Sequence, residues 1–124
     1  MILTPVRYAD VVVLTLQGRL DQSTAEDVRT ALAPHLERCA EGQDHLVLDM
    51  AGVDYVSSAG LRVLMLVSKQ AKAQKGYLVL VSVQPLVQEI LEISKFTLIL
   101  RALPAVRDAL AETSPAGLAA FEPR

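Results

Sequence analysis

Tryptophan is absent from this chain, and aromatic residues make up only 4% of it. Hydrophobic residues nevertheless reach 52%, so the core must be built from Leu, Val, Ile and Ala. Cys39 stands alone, which rules out an internal disulfide. One Cys and two His also cannot make a Cys-rich zinc site. Composition alone leaves carboxylate-bound Mg²⁺ or Ca²⁺ open. A basic surplus is missing too: 12 Lys and Arg face 14 Asp and Glu, a formal net charge of −2. Nothing is left over to neutralise a phosphate backbone, so nucleic acid is not an expected partner. Long apolar runs are lacking; stretches such as Val11–Leu14 fall far short of the roughly 20 residues a membrane span needs. The opening residues Met1–Arg7 carry neither a basic n-region nor an apolar h-region. The expectation is a cytoplasmic protein without membrane insertion.

What is present fits one domain. A chain of 124 residues can bury enough surface for a single core without staples. Charged residues at 21% mark it as globular rather than disordered.

Ile2 to Tyr8 alternates and contains Pro5, which predicts an edge strand. Ala9-Asp10 reads as a tight turn. Val11–Gln17 is a β-branched run of strand length, ended by Gly18-Arg19-Leu20-Asp21. Ser23 or Thr24 can cap the next helix, and Glu26 and Asp27 in its first turn complement the dipole. Ala25, Val28, Leu32, Leu36 and Cys39 give it an amphipathic face to about Ala40, with Gly42 as the stop. Pro34 should loosen the turn before it.

His45–Met50 predicts a further strand, and Ala51–Val56 a loop. A helix should follow Ser57-Ser58-Ala59-Gly60 and run from Leu61 to about Lys75, burying Leu61, Leu64, Met65, Ser68 and Ala71. Tyr77–Ser82 reads as a strand. Pro85 suits the first turn of a helix to about Ile93, with Leu86, Ile90 and Ile93 on one face. Phe96–Leu100 reads as a last strand, Ala105–Glu112 as a last helix, and residues 113–124 as a loosely ordered tail. The expected fold is α/β: a mixed, mostly parallel sheet of about five strands with about four helices, in one domain over residues 1–112. The first two strands should pair antiparallel, and the others should be joined by right-handed crossovers.

In such a sheet, function gathers at the carboxyl ends of the strands. Two strand-to-helix segments lie there: Gly18–Thr24, and Asp54 to Leu61. Ser57 and Ser58 at a helix start can be simple caps. A serine there is equally well placed to carry a phosphate, because free N–H groups and the positive dipole end favour an anion. A serine hydrolase is the enzymatic competitor. Val56-Ser57-Ser58-Ala59-Gly60 is not Gly-x-Ser-x-Gly. His45 starts a strand that ends before Ser58, roughly 16 Å away over five residues at about 3.3 Å each. His35 lies in the far half of the first helix. Both read as partly exposed surface histidines. Asp21 and Asp54 as a carboxylate pair are a weak metal signal, against plain roles in a helix start and a turn. Gly42, Gly52, Gly60 and Gly76 make no dinucleotide or Walker fingerprint. No catalysis, cofactor or metal is expected.

Gly18-Arg19-Leu20-Asp21 with Ser23-Thr24-Ala25, Leu46–Met50, Val53–Val56, and Ser57-Ser58-Ala59-Gly60-Leu61-Arg62-Val63-Leu64 resemble the STAS domain family, and within it the bacterial anti-sigma-factor antagonists. The likeness runs from about Ile2 to Glu112. It implies partner switching. The unmodified protein would bind an anti-sigma factor, usually a serine kinase, and so free the sigma factor. Phosphorylation of a serine would release it, and a metal-dependent serine phosphatase would restore it. Aligned on Gly60, the family pattern Asp-Ser-Ser-Gly-Leu puts the phosphoserine at Ser58. Ser57 then stands at the aspartate position and is the alternative acceptor, while Ala59 stands at the second serine. The resemblance implies a partner surface of Asp21, Thr24, Ser57, Ser58 and Leu61. Other STAS proteins serve in stress-signalling complexes or as accessory subunits of lipid transporters, which keeps the fold and changes the task. A small serine-dependent enzyme is the reading from another class.

Overall fold

The computed structural model describes residues 2–122. The chain runs β1 (Ile2–Tyr8), β2 (Val11–Leu20), α1 (Ala25–Glu37), β3 (His45–Val56), α2 (Ser58–Ala73), β4 (Leu78–Val81), α3 (Pro85–Ile93), a 3₁₀ turn (Phe96–Leu98), β5 (Ala102–Leu103), α4 (Val106–Thr113) and α5 (Pro115–Phe121). The sheet order is β1-β2-β3-β4-β5. β1 pairs antiparallel with β2 and the other pairings are parallel, as the element order predicts. β1 with its Pro5 is an edge strand.

Both faces of the sheet are covered, which is why its strands read as unbroken apolar runs. Val12, Leu14, Leu16, Leu46, Leu48, Met50, Leu78 and Leu80 pack with residues of α1, α2 and α3. Val11, Val13, Val47, Val79 and Val81 face the other way, with Ala109 and Leu110 of α4. The alternation of leucine and valine thus assigns the larger side chains to the three-helix side. Cys39 is buried in the larger cluster, and burial pushes its thiol up to about 11, so it stays protonated.

Several boundaries differ from expectation. β2 continues through Gly18 to Leu20, and β3 continues through the expected loop to Val56. The two extensions pair with each other past register shifts between Thr15 and Gln17 and between Gly18 and Arg19. Gly18, at φ 116°, supplies backbone freedom at the second shift. α1 tolerates Pro34 because that residue faces solvent and lies in the last turn. α2 begins at Ser58, not Leu61, and buries Gly60, Val63, Leu64, Val67, Ser68 and Ala71, while Leu61 and Met65 are only half-buried.

α3 has the expected span but the opposite face. Val87 and Leu91 are buried, whereas Leu86 and Ile93 are 54% and 76% exposed. Positions 86, 87, 90, 91 and 93 are all apolar, so periodicity selects no face; docking against β3 and the 3₁₀ turn does. Phe96–Leu100 is not a strand. Lys95 at φ 60° turns the chain, Phe96 plugs the core, and β5 forms two residues further on, where Ala102 and Leu103 pair with Leu80 and Val81.

Beyond Glu112 a fifth helix takes the place of a loose end. Ser114 caps α5 by accepting from Gly117 N at 2.9 Å, and Pro115 opens it. Phe121 stacks edge-on against Tyr8 with ring centroids 5.2 Å apart. The Ser-Pro pair is a helix-start signal that the Ala-, Gly- and Pro-rich composition hid.

One buried acid ties the edge strand to the sheet. Asp44, just before β3, accepts from Arg7 at 2.9 and 3.0 Å and from Arg38 at 3.2 Å. The Arg7 guanidinium, chiefly by hydrogen bonding, holds the Asp44 carboxyl below its ordinary 3.8. A depressed folded-state pKa contributes stability above the ordinary value that is lost as pH falls through the folded one. Asp44→Asn should therefore lower the melting temperature at pH 7 and cost less and less below about pH 4. Calorimetric melts from pH 2 to 7 check this; a cost independent of pH would deny the ion pairs their role.

Candidate functional site

The paired extensions of β2 and β3 bring two connections together at the carboxyl edge of the sheet. Leu20 lies beside Val56 in the ladder, and Ser57 N donates to Leu20 O at 2.9 Å. The start of α1 and the start of α2 are therefore neighbours, and Asp21, Thr24, Ser57 and Ser58 belong to one edge. α2 can approach this closely because Gly60 has no Cβ where the Leu20 carbonyl comes in.

The two serines have different environments. Ser57 is the cap of α2: its Oγ accepts from Gly60 N at 3.3 Å, and its carbonyl accepts from Leu61 N at 2.9 Å. Ser58 is the first residue of the helix and is exposed. Among the described residues its hydroxyl has no hydrogen-bond partner.

On the β2 side the expected side-chain caps are replaced by a different arrangement. Neither Ser23 nor Thr24 caps α1 through its side chain. Thr24 Oγ1 donates to Arg19 O at 2.7 Å and accepts from Asp21 N at 3.0 Å, which closes the turn. Ser23 donates to Asp21 Oδ1 through both N (2.9 Å) and Oγ (2.6 Å). Arg19 Nε approaches Asp21 Oδ2 at 3.4 Å. These donors, the Ser23 hydroxyl first, hold the Asp21 carboxyl below its ordinary range, so it is anionic at neutral pH. Arg19 in turn lies 4.5 Å over the Tyr55 ring, its ladder partner. Sequence reasoning missed Arg19 and Tyr55 because their pairing depends on the register beyond the bulges. Leu61 is half-buried and packs against the core. Asp54 is exposed on β3.

The histidines lie elsewhere. β3 runs 12 residues from His45 to Val56, roughly 35–40 Å at about 3.3 Å each, so His45 sits at the far end of the sheet. There it pairs with Asp10 at 3.2 Å and packs edge-on against Tyr77. His35 lies in the last turn of α1. Among the described residues, no cluster of three His, Cys, Asp or Glu side chains could hold a metal ion. No helix among them is long and apolar enough to cross a membrane.

Comparison with known proteins agrees with this fold. The STAS domain family pattern matches residues 3–111. BtrV of Bordetella bronchiseptica, which bears an anti-sigma factor antagonist name, is 40% identical over 96 residues, spanning 77% of this chain and 80% of BtrV. Among solved structures, a Thermotoga maritima protein named for the same class superposes with a TM-score of 0.80 at 21% identity, covering 89% of this chain and 92% of that one. Bacillus SpoIIAA in its phosphorylated form superposes with a TM-score of 0.64 at 15% identity, covering 90% and 98%. The chain belongs to the STAS domain family, in the group that includes the bacterial anti-sigma-factor antagonists.

Proposed function

We propose that this chain is an anti-sigma-factor antagonist whose unmodified form binds an anti-sigma factor with serine kinase activity, and whose phosphorylation on Ser58 ends that binding. A serine phosphatase resets it. The observation that carries this reading is the division of labour at the start of α2: Ser57 is spent on the cap, and Ser58 is exposed with a free hydroxyl. The SpoIIAA fold is known in a phosphorylated form, which supports a phosphate being borne without refolding. The chain acts as a binding module; its histidines, the usual bases for activating a serine, lie far from Ser58. Generic ester and phosphate substrates should show no turnover that Ser58→Ala removes.

The test of the site is direct. Incubation with the cognate kinase and ATP, followed by mass-spectrometric mapping, should find phosphate on Ser58. Phosphate on Ser57 alone would overturn the assignment, since it would fall on the capping hydroxyl.

The partner surface is proposed as Asp21, Thr24, Ser57, Ser58 and Leu61. Asp21 is a fixed anion at the edge of this surface, suited to accept hydrogen bonds from the partner. Asp21→Ala should reduce affinity for the anti-sigma factor at least tenfold, with little change in melting temperature, because α1 takes its first-turn contacts from the Asp21 carbonyl rather than its carboxylate. Unchanged affinity in titration calorimetry would remove Asp21 from the interface.

A further inference from the structure

We propose that Arg62 is the internal partner of a phosphate on Ser58, so that the modified chain closes a phosphoserine–arginine pair along the first turns of α2. This rests on the reading of Ser58 as the phosphoacceptor and adds the group that receives the charge.

The arginines of this protein are almost all engaged. Arg7, Arg19, Arg29, Arg38, Arg101 and Arg107 each lie against a carboxylate. Arg62 is the exception among the described residues. It is exposed, and it enters none of those ion pairs. Its helical neighbours supply no acid: positions three and four away are Ala59, Met65, Ser58 and Leu66. The unmodified helix therefore carries a cation with no partner on its own face.

Phosphorylation changes that. Ser58 and Arg62 stand at i and i+4 on α2, about 5–6 Å apart at Cβ, within easy reach of a guanidinium. The acid would be N-terminal to the base, the favourable order for such a pair. A phosphoserine brings about −1.5 to −2 charge and three strong acceptor oxygens, and the planar guanidinium fork matches them in a bidentate contact.

The surroundings leave Arg62 free to respond. It lines an open groove of about 390 Å³ between α1 and α2, together with Gln22, Glu26, Arg29, Ala59 and Leu66. The other cation there, Arg29, is held by Glu26 at 2.8 Å. Asp21, on the neighbouring connection, is an anion and supplies no counter-charge. Arg62 is therefore the available counter-charge.

The experiment uses the full chain with phosphoserine genetically encoded at position 58, which makes it independent of any kinase. The ³¹P signal is titrated with pH in the parent, in Arg62→Gln, in Arg62→Lys and in Arg29→Gln. A phosphate paired with Arg62 loses its second proton more easily, so Arg62→Gln should raise the apparent second pKa by about half a unit. Arg62→Lys should restore part of the shift, and Arg29→Gln should leave it in place. In the unmodified protein Arg62→Gln should not move the melting temperature, since nothing there is paired with it. An unchanged ³¹P titration in Arg62→Gln would overturn the pair. So would an equal change in Arg29→Gln, which would mean a diffuse field in place of a specific contact. Failure of a kinase to modify Ser58 is read separately by mass mapping, so the two ideas fail by different measurements.

Discussion

A phosphate on Ser58 is expected to weaken binding to the anti-sigma factor about 30- to 1,000-fold, a penalty of about 2–4 kcal/mol. The origin is desolvation and repulsion rather than refolding. Ser58 is exposed at an edge it shares with the anionic Asp21, so a partner docked there must strip water from both. Adding about two negative charges at such a contact sharpens the electrostatic cost. Titration calorimetry on the parent and phosphorylated chains reads the difference. Ser58→Ala should bind as the parent does and resist release by ATP. Ser58→Asp should bind more weakly than the parent but better than the phosphoprotein, because a carboxylate carries only about half to two thirds of the charge. If the phosphorylated chain binds as tightly as the parent, the proposed switch is wrong. The internal pair with Arg62 would soften the repulsion, so Arg62→Gln should widen the gap between the two forms.

The second large effect is structural and falls on Gly60. A Cβ there would collide with the Leu20 carbonyl oxygen and lie 2.8 Å from Leu20 Cγ and 3.0 Å from Val56 Cγ1. Removing glycine from a helix ordinarily gains up to about 1 kcal/mol. Here the obstacle is the backbone of β2, which cannot rotate away, and overpacking of this kind costs about 1–3 kcal/mol or more. The clash wins. Gly60→Val, which adds two further methyl groups at the same contact, should lower the melting temperature by about 10 °C. It should also weaken partner binding, because relief requires α2 to withdraw from β2 and carry Ser57 and Ser58 with it. A melting temperature equal to the parent's would show that the first turn of α2 does not seat on Leu20.

The parts of the fold legible in the sequence are those where local pattern and burial agree. β1 and the core of β2 were readable from alternation and β-branched runs. α3 was readable from Pro85 at its first turn. The candidate serines were readable because Ser57-Ser58-Ala59-Gly60 stands between an apolar strand pattern and a helical one. The failures share a cause. Ala51–Val56 looked like a loop because Ala51, Gly52 and Asp54 face solvent; it is strand because β2 extends alongside it. The inward face of α3 could not be read from a helix that is apolar nearly all round.

Composition and pattern by themselves determined an aliphatic α/β domain with mixed strand pairing and a serine pair at a helix start. Those features follow from short-range preferences: β-branched runs extend, helices start at caps, and crossovers make strands parallel. The tertiary structure alone decided which serine is free and what surrounds it. Ser57 and Ser58 are chemically alike and adjacent; they part only because the helix begins at Ser58 and leaves Ser57 to cap Gly60 N. Asp21 joins them only because two register shifts carry β2 far enough for Leu20 to meet Val56 and Ser57. Arg62 stands out only once every other described arginine is seen to hold a carboxylate. Each of these depends on contacts between residues distant in the chain, and a local pattern carries no record of such contacts.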